Sequence, residues 1–344
     1  MTSTGTGTGI GRTSDKIAVL GAGAWGTALA RLLSERGPVS LWTWQAEHAA
    51  ALQRERENRA FLPGFELGPE VHPTAELGQA LEAASCVVVA VPSEAVRATL
   101  SAAASALAPD ATLVIVAKGI EASTLMLLSQ VTCDVLGADA ERRSVFLSGP
   151  SFALEVARGL PTNLVAASID AQRPLLVQQR FAGDRLRIYT SDDPTGVQVG
   201  GALKNVIAIA AGASDGLGFG HNTRAALITR GLAEMARLAV AMGGSVLTLS
   251  GLAGLGDLVL TCSAELSRNR TVGFELGRGR QLAEVLSGLG HVAEGVTTAQ
   301  SAYHLAERMQ VDLPITAEVH AVLYEGKPVA AAVRDLLSRP LKKE

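Results

Sequence analysis

From residue 16 to about residue 190, short and almost wholly apolar runs alternate with longer segments in which apolar residues recur at helical spacing. The apolar runs are KIAVL (16–20), VSLW (39–42), CVVVAV (86–91), TLVIVA (112–117) and SVFLS (144–148), and TNLVAAS and RLRIYT close this half near Thr190. Strands apolar on both faces belong in a parallel sheet covered by helices. Between them, 27–36, 46–59 and 94–108 are rich in Ala, Leu, Glu and Arg and read as helices, giving the βαβ alternation of a doubly wound fold.

After SDDPTG (191–196) the texture changes. Helical periodicity runs through 225–242, 281–286 and 297–309, with no convincing strand. The reading is therefore a flexible tail over 1–14, an α/β domain over 15–191 and an all-helical domain over 192–344.

A chain of 344 residues, 48% hydrophobic, can bury the cores of two domains. Its net charge of -3 comes without a long basic block, which argues against nucleic acid and anionic membranes as partners. The strand-like apolar runs fall well short of the roughly 20 residues that span a bilayer, so no membrane insertion is expected. Residues 1–14 lack the apolar core of a secretory signal. Cys86, Cys133 and Cys262 are far apart, without CxxC or His-rich spacing, and read as reduced structural thiols in a cytoplasmic protein without a metal.

Chemistry begins directly after the first strand, where GAGAWGTALA sets Gly21, Gly23 and Gly26 in the spacing of a dinucleotide loop. The first glycine makes the tight turn, the second admits a pyrophosphate and the third packs helix on strand. At the end of the second strand, LWTWQAEH offers neither the acid of an NAD site nor a base for NADP, so NAD and NADP both stay open. Trp25, inside the loop, either covers the pyrophosphate or packs beneath it.

Ligands of open parallel sheets bind beyond the carboxyl ends of the strands. Three exits lie there: VPS at 91–93, Lys118-Gly119, and Gly149-Pro150-Ser151-Phe152. Lys118 either points into the crevice or caps the surface; the last turn binds substrate or caps a helix. In VGGALKNVIAIAAG, Lys204 sits on a helical face of glycine, alanine, valine and isoleucine, with no acid on that face. Asp257 and Thr261 are four apart and share a face, and Arg268 with Asn269 suits an anion or forms a solvated turn. Glu294, before a glycine turn, is a ligand contact or a cap. His221 has no acid or cysteine spaced to make a triad or metal site.

Taken in order, GAGAWGTALA, FLPG, VPS, AKGIE, SGPSFA, GGALKNVIAIAAGASDGLGFGHNTRAALITRGLAEM, GLAGLGDLVLTC and SRNR closely resemble the bacterial NAD(P)-dependent sn-glycerol-3-phosphate dehydrogenases over about residues 16–338. The resemblance implies a Rossmann-like doubly wound sheet followed by a helical domain of the 6-phosphogluconate dehydrogenase type. It implies interconversion of dihydroxyacetone phosphate and sn-glycerol 3-phosphate, in the service of phospholipid synthesis, with a homodimer as candidate assembly.

Residue by residue, it puts Lys204 at the proton acceptor. Lys118, Gly149, Ser151, Asp257, Ser267, Arg268 and Asn269 fall at substrate positions. Ala24, Trp25, Lys118, Ala153, Arg268, Val292 and Glu294 fall at cofactor positions beside the loop glycines. Trp44 stands where many members carry Arg or His against the 2′-phosphate, a departure that puts NADP preference in doubt.

On this reading the catalytic set is Lys204, Lys118, Asp257 and Thr261. Apolar walls and Lys118 would lower the lysine pKa, and Asp257 would raise it while orienting the ammonium. The rivals are a 3-hydroxyacid or 6-phosphogluconate type dehydrogenase and a non-catalytic dinucleotide sensor.

Overall fold

The computed structural model describes residues 16–289 and 292–340, so the tail expected over 1–14 lies outside the described residues. The strands are β1 (Ile17–Leu20), β2 (Val39–Trp42), β3 (Glu57–Asn58), β4 (Leu62–Glu66), β5 (Val71–Thr74), β6 (Cys86–Val89), β7 (Thr112–Ile115), β8 (Ser144–Ser148), β9 (Thr162–Ala167) and β10 (Leu186–Ser191). Eight of them form one sheet in the order β10-β9-β8-β7-β6-β1-β2-β5, and β3 pairs with β4 separately. β1, β6, β7 and β8 are buried along their whole length, which is why they are so apolar. The chain runs outward from β1 through β2 to β5, then returns to start β6 on the other side of β1. That reversal is where a doubly wound sheet opens its ligand crevice.

Three expectations need correction. The helix expected over 46–59 is Ala46–Glu55; Arg56 turns it off with φ 52, and 57–74 form β3, β4 and β5. These strands escape the sequence pattern because β4, LPGFE, is mostly exposed and has no continuous apolar run. The segment 94–108 holds the helix Val96–Ala103, preceded by the 3₁₀ turn Ser93–Ala95. Finally, β9 runs antiparallel to β8, and β10 follows β9. An all-apolar strand records that both faces are covered, not which way its neighbour runs.

Beyond β10, every regular element among the described residues is helical. The helices that matter below are α1 (Ala24–Leu33), α2 (Pro194–Gly216), α3 (His221–Ala241), α4 (Asp257–Ser263), α5 (Arg268–Gly277) and α6 (Glu294–Met309). Asp193 caps α2 by accepting the Gly196 N–H at 2.7 Å, and Pro194 fills the first turn, where its missing N–H is not needed. α2 is long and apolar enough to cross a bilayer, unlike the short runs read above, but 89% of its apolar window is buried among the other helices. Small residues let those helices come close. A Cβ on Gly212 would collide with the backbone of Arg270, and one on Gly273 with the backbone of Ile209, so α2 and α5 touch main chain to main chain.

Gly273→Ala is therefore expected to lower stability by about 1–3 kcal/mol, the range for overpacking a tight contact, read from denaturant or thermal unfolding. Gly78→Ala is the control: it is helical and exposed, a Cβ there meets nothing, and the change should be neutral or stabilising.

Candidate active site

The glycine loop turns at the end of β1. Gly21 has φ 114, and a Cβ there would lie 2.7 Å from the Ala90 carbonyl oxygen at the exit of β6. At Gly23 a Cβ would meet nothing within 4 Å, so the backbone at the start of α1 is open to a ligand. Gly23 caps α1 without a side-chain hydrogen bond, and no acid occupies the first turn, which Ala24 opens. Unclaimed N–H groups at a helix start, with the macrodipole behind them, fit a pyrophosphate. Asn58, which the sequence reading placed in a helix, holds this loop from below by donating to the Ala22 carbonyl at 2.8 Å and the Thr27 hydroxyl at 2.7 Å. Nothing in the local sequence announces that role.

Trp25 is half-buried and packs with Ala153 against the small cluster of Ala28, Leu62 and Val156. Trp44 follows β2 and is 75% exposed. Val292 is exposed beside the start of α6. The Ser93 N–H, in the VPS exit, points to the Glu294 carboxylate at 3.4 Å, joining the crevice of the sheet to α6.

The polar centre lies where β7, α2 and α4 converge. Lys204 donates to Asp257 Oδ1 at 2.6 Å and to Thr261 Oγ1 at 2.9 Å. Lys118 donates to the other oxygen, Oδ2, at 2.6 Å and to the Gly149 carbonyl at 3.2 Å. Thr261 in turn donates to the Asp257 carbonyl at 2.6 Å. Lys204, Asp257 and Thr261 are all buried. Gly201 keeps room for the Lys118 stem, which would lie 3.4 Å from a Cβ. Asp257 starts α4 directly after the π-helical turn Leu252–Gly256. Ser151 donates to the same Gly149 carbonyl at 3.0 Å.

Electrostatics follow from burial. Loss of water lowers the Lys204 pKa to about 8, helped by the Lys118 charge and opposed by Asp257 and Glu294. Loss of water also pushes the Asp257 carboxyl up, but the two ammonium groups outweigh it and hold the acid below its usual range. Glu294 is raised by loss of water against the pull of Arg268, the Ser93 N–H and both lysines.

The remaining candidates gather at the adjoining starts of α5 and α6. Ser267 caps α5 by accepting the Arg270 N–H at 3.2 Å, and Asn269 accepts the Gly295 N–H at 2.9 Å. Both hydrogen bonds are structural. Arg268 is exposed and makes no side-chain hydrogen bond among the described residues. His221 is exposed at the start of α3. Burial drives the Cys86 and Cys262 thiols up to about 11 and about 12, so neither is a nucleophile near neutrality. Among the described residues no group of three or more His, Cys, Asp and Glu could hold a metal ion.

Chemically, the cluster is two ammonium groups on one carboxylate, each with two of its three N–H donors engaged. Lys118→Met would remove a cation and release Asp257 to Lys204, so the Lys204 pKa should rise above about 8. Asp257→Asn should lower it. The measurement is ¹⁵N NMR of the lysine side chain across pH, and movement in the opposite direction in either variant would refute this electrostatic account.

Two family models match the chain: the NAD-dependent glycerol-3-phosphate dehydrogenase N-terminus over residues 16–173 and the C-terminus of the same family over residues 193–334. A glycerol-3-phosphate dehydrogenase [NAD(P)+] of Geobacter metallireducens is 53% identical over 331 residues, 96% of this chain and 99% of that protein. One of the same description from Nitrosomonas europaea is 51% identical over 323 residues, 94% and 97% of the two chains. Among solved structures, a glycerol-3-phosphate dehydrogenase from Coxiella burnetii superposes with a TM-score of 0.90 at 39% identity, covering 94% of this chain and 99% of that one.

Proposed function

The chain belongs to the NAD-dependent glycerol-3-phosphate dehydrogenase family, and from that premise we propose a division of labour among its residues. The activity is the NAD(P)-dependent interconversion of dihydroxyacetone phosphate and sn-glycerol 3-phosphate. The observation that carries the assignment of roles is one buried carboxylate, Asp257, bridging the ammonium groups of Lys204 and Lys118.

Gly21, Gly23, Ala24 and Gly26 would hold the pyrophosphate, with Glu294 and Ala153 bordering the rest of the dinucleotide; the open backbone at Gly23 fits that group. When bound, the nicotinamide supplies or receives the hydride at the substrate C2. Lys204 Nζ gives a proton to the C2 oxygen in reduction and takes it back in oxidation. As a neutral amine it has two N–H donors, which Asp257 and Thr261 accept, so its lone pair is left for the substrate hydroxyl. Lys118, with a donor to spare, stabilises charge growing on the same oxygen. Asp257 and Thr261 are positioning residues. Arg268, with Asn269, binds the phosphate, and that remote grip places C2. Gly149, Ser151 and Ser267 shape the substrate pocket.

The reading extends to a cytoplasmic enzyme that supplies glycerol 3-phosphate for phospholipids, with a homodimer as the candidate assembly. The dispersed, largely buried free cysteines support the compartment, and the family supports the rest.

Lys204→Ala should cut kcat by about 10²–10⁴ while cofactor affinity, followed by nicotinamide fluorescence, stays put. Near-normal turnover would sink the assignment. In the wild-type enzyme, oxidation needs neutral Lys204 and should rise through a pKa of about 8, while reduction needs the charged form and should fall there. Parallel pH profiles in both directions would contradict that role. At the cofactor's far end, Trp44 offers no charge to a 2′-phosphate, so kcat/KM should favour NADH over NADPH. Trp44→Arg should narrow the gap; an unchanged ratio would remove Trp44 from the specificity site.

A further inference from the structure

Resting on the reading above, Lys204 and Arg268 act on opposite ends of one three-carbon molecule. The spacing between α2 and the first turn of α5 then decides whether both can engage it. The glycine contacts between these helices set how near they lie. A second, charged feature acts at the start of α5 itself.

Asp215, in the last turn of α2, is 6% exposed at its side chain. Its Oδ2 accepts from Nε and Nη2 of Arg270 at 3.0 and 2.7 Å, and its Oδ1 accepts from Nε and Nη2 of Arg224, in the first turn of α3, at 3.1 and 2.8 Å. Each planar guanidinium presents two N–H groups to one carboxylate oxygen, a pairing with tighter angular demands than a single contact. Arg270 lies two residues beyond Arg268, and its own backbone N–H is held by the Ser267 cap. The guanidinium fork on Asp215 therefore sets both the height and the rotation of the turn that carries Arg268 and Asn269.

We infer that Asp215, together with Arg270 and Arg224, is a positioning residue for phosphate recognition. It holds the start of α5 so that Arg268 and Asn269 meet the phosphate at the distance Lys204 requires. None of the three touches the reacting atoms. A misplacement of about 1 Å in such a frame can cost on the order of 100-fold in rate, so the clamp matters to the reaction beyond its contribution to stability.

The test compares dihydroxyacetone phosphate with dihydroxyacetone, which has no phosphate to position, in the wild type, Arg268→Ala, Asp215→Asn and Arg270→Lys. Arg270→Lys keeps the charge but loses the fork, and is the informative variant if Asp215→Asn does not fold. A positioning role predicts that Arg270→Lys raises KM for dihydroxyacetone phosphate on the order of 10-fold. It also predicts that kcat/KM for dihydroxyacetone and KM for the reduced cofactor stay unchanged. Equal losses on both substrates, or an unchanged KM with only a lower melting temperature, would overturn it. If Arg268→Ala weakens the phosphate substrate but Arg270→Lys does not, the clamp alone is refuted. No wild-type turnover of dihydroxyacetone phosphate would refute the functional reading along with it.

Discussion

A single carboxylate holds the reactive centre together. Asp257 is 1% exposed and bonds one oxygen to Lys204 and the other to Lys118. A buried acid without partners would take up a proton, and a buried lysine without partners would lose one. The two ammonium groups keep Asp257 charged, and its carboxylate in turn offsets part of what burial costs Lys204. The three together leave a buried excess of one positive charge, in a place where water is scarce and charge interactions are correspondingly strong. Such a site suits an oxygen that gains negative charge as its carbonyl is reduced.

The same interaction is architectural. Lys118 comes from the exit of β7, Lys204 from the middle of α2 and Asp257 from the start of α4, so the carboxylate ties the sheet to the helical half. Ser93 and Glu294 make a second tie nearby, between the exit of β6 and α6. On the proposed assignment of roles, the crevice between them has the nucleotide-holding wall on one side and the proton-handling wall on the other.

Close approach is the other recurring constraint. The loop after β1 needs Gly21 because the Ala90 carbonyl occupies the space of a side chain, and α2 meets α5 main chain to main chain where Gly212, Gly216, Gly273 and Gly277 stand. Backbone contact sets distances more tightly than flexible side chains do. Here it brings the helix carrying Lys204 within one contact of the helix carrying Arg268, and Asp215 and Arg270 add a charged contact between the same two helices.

Local patterning made the strands of the sheet core and the glycine loop legible, since burial on both faces and a tight turn leave marks within a few residues. The helical character of the second half was legible for the same reason. Strand direction at β8 and β9 and the small strands β3 to β5 were not, because pairing direction and exposed edges leave no such mark. At the site, Lys204 could be singled out as an ammonium on an apolar face, and Asp257 and Thr261 as neighbours on one helix. What the sequence could not decide was that Asp257 lies between Lys204 and Lys118, that Asn58 props up the glycine loop, or that Asp215 receives two arginines. Except for Arg224, nine residues from Asp215 on the next helix, those partners are separated by tens of residues or more, and hydrogen-bond reach is a property of three-dimensional distance, which only the packed chain sets.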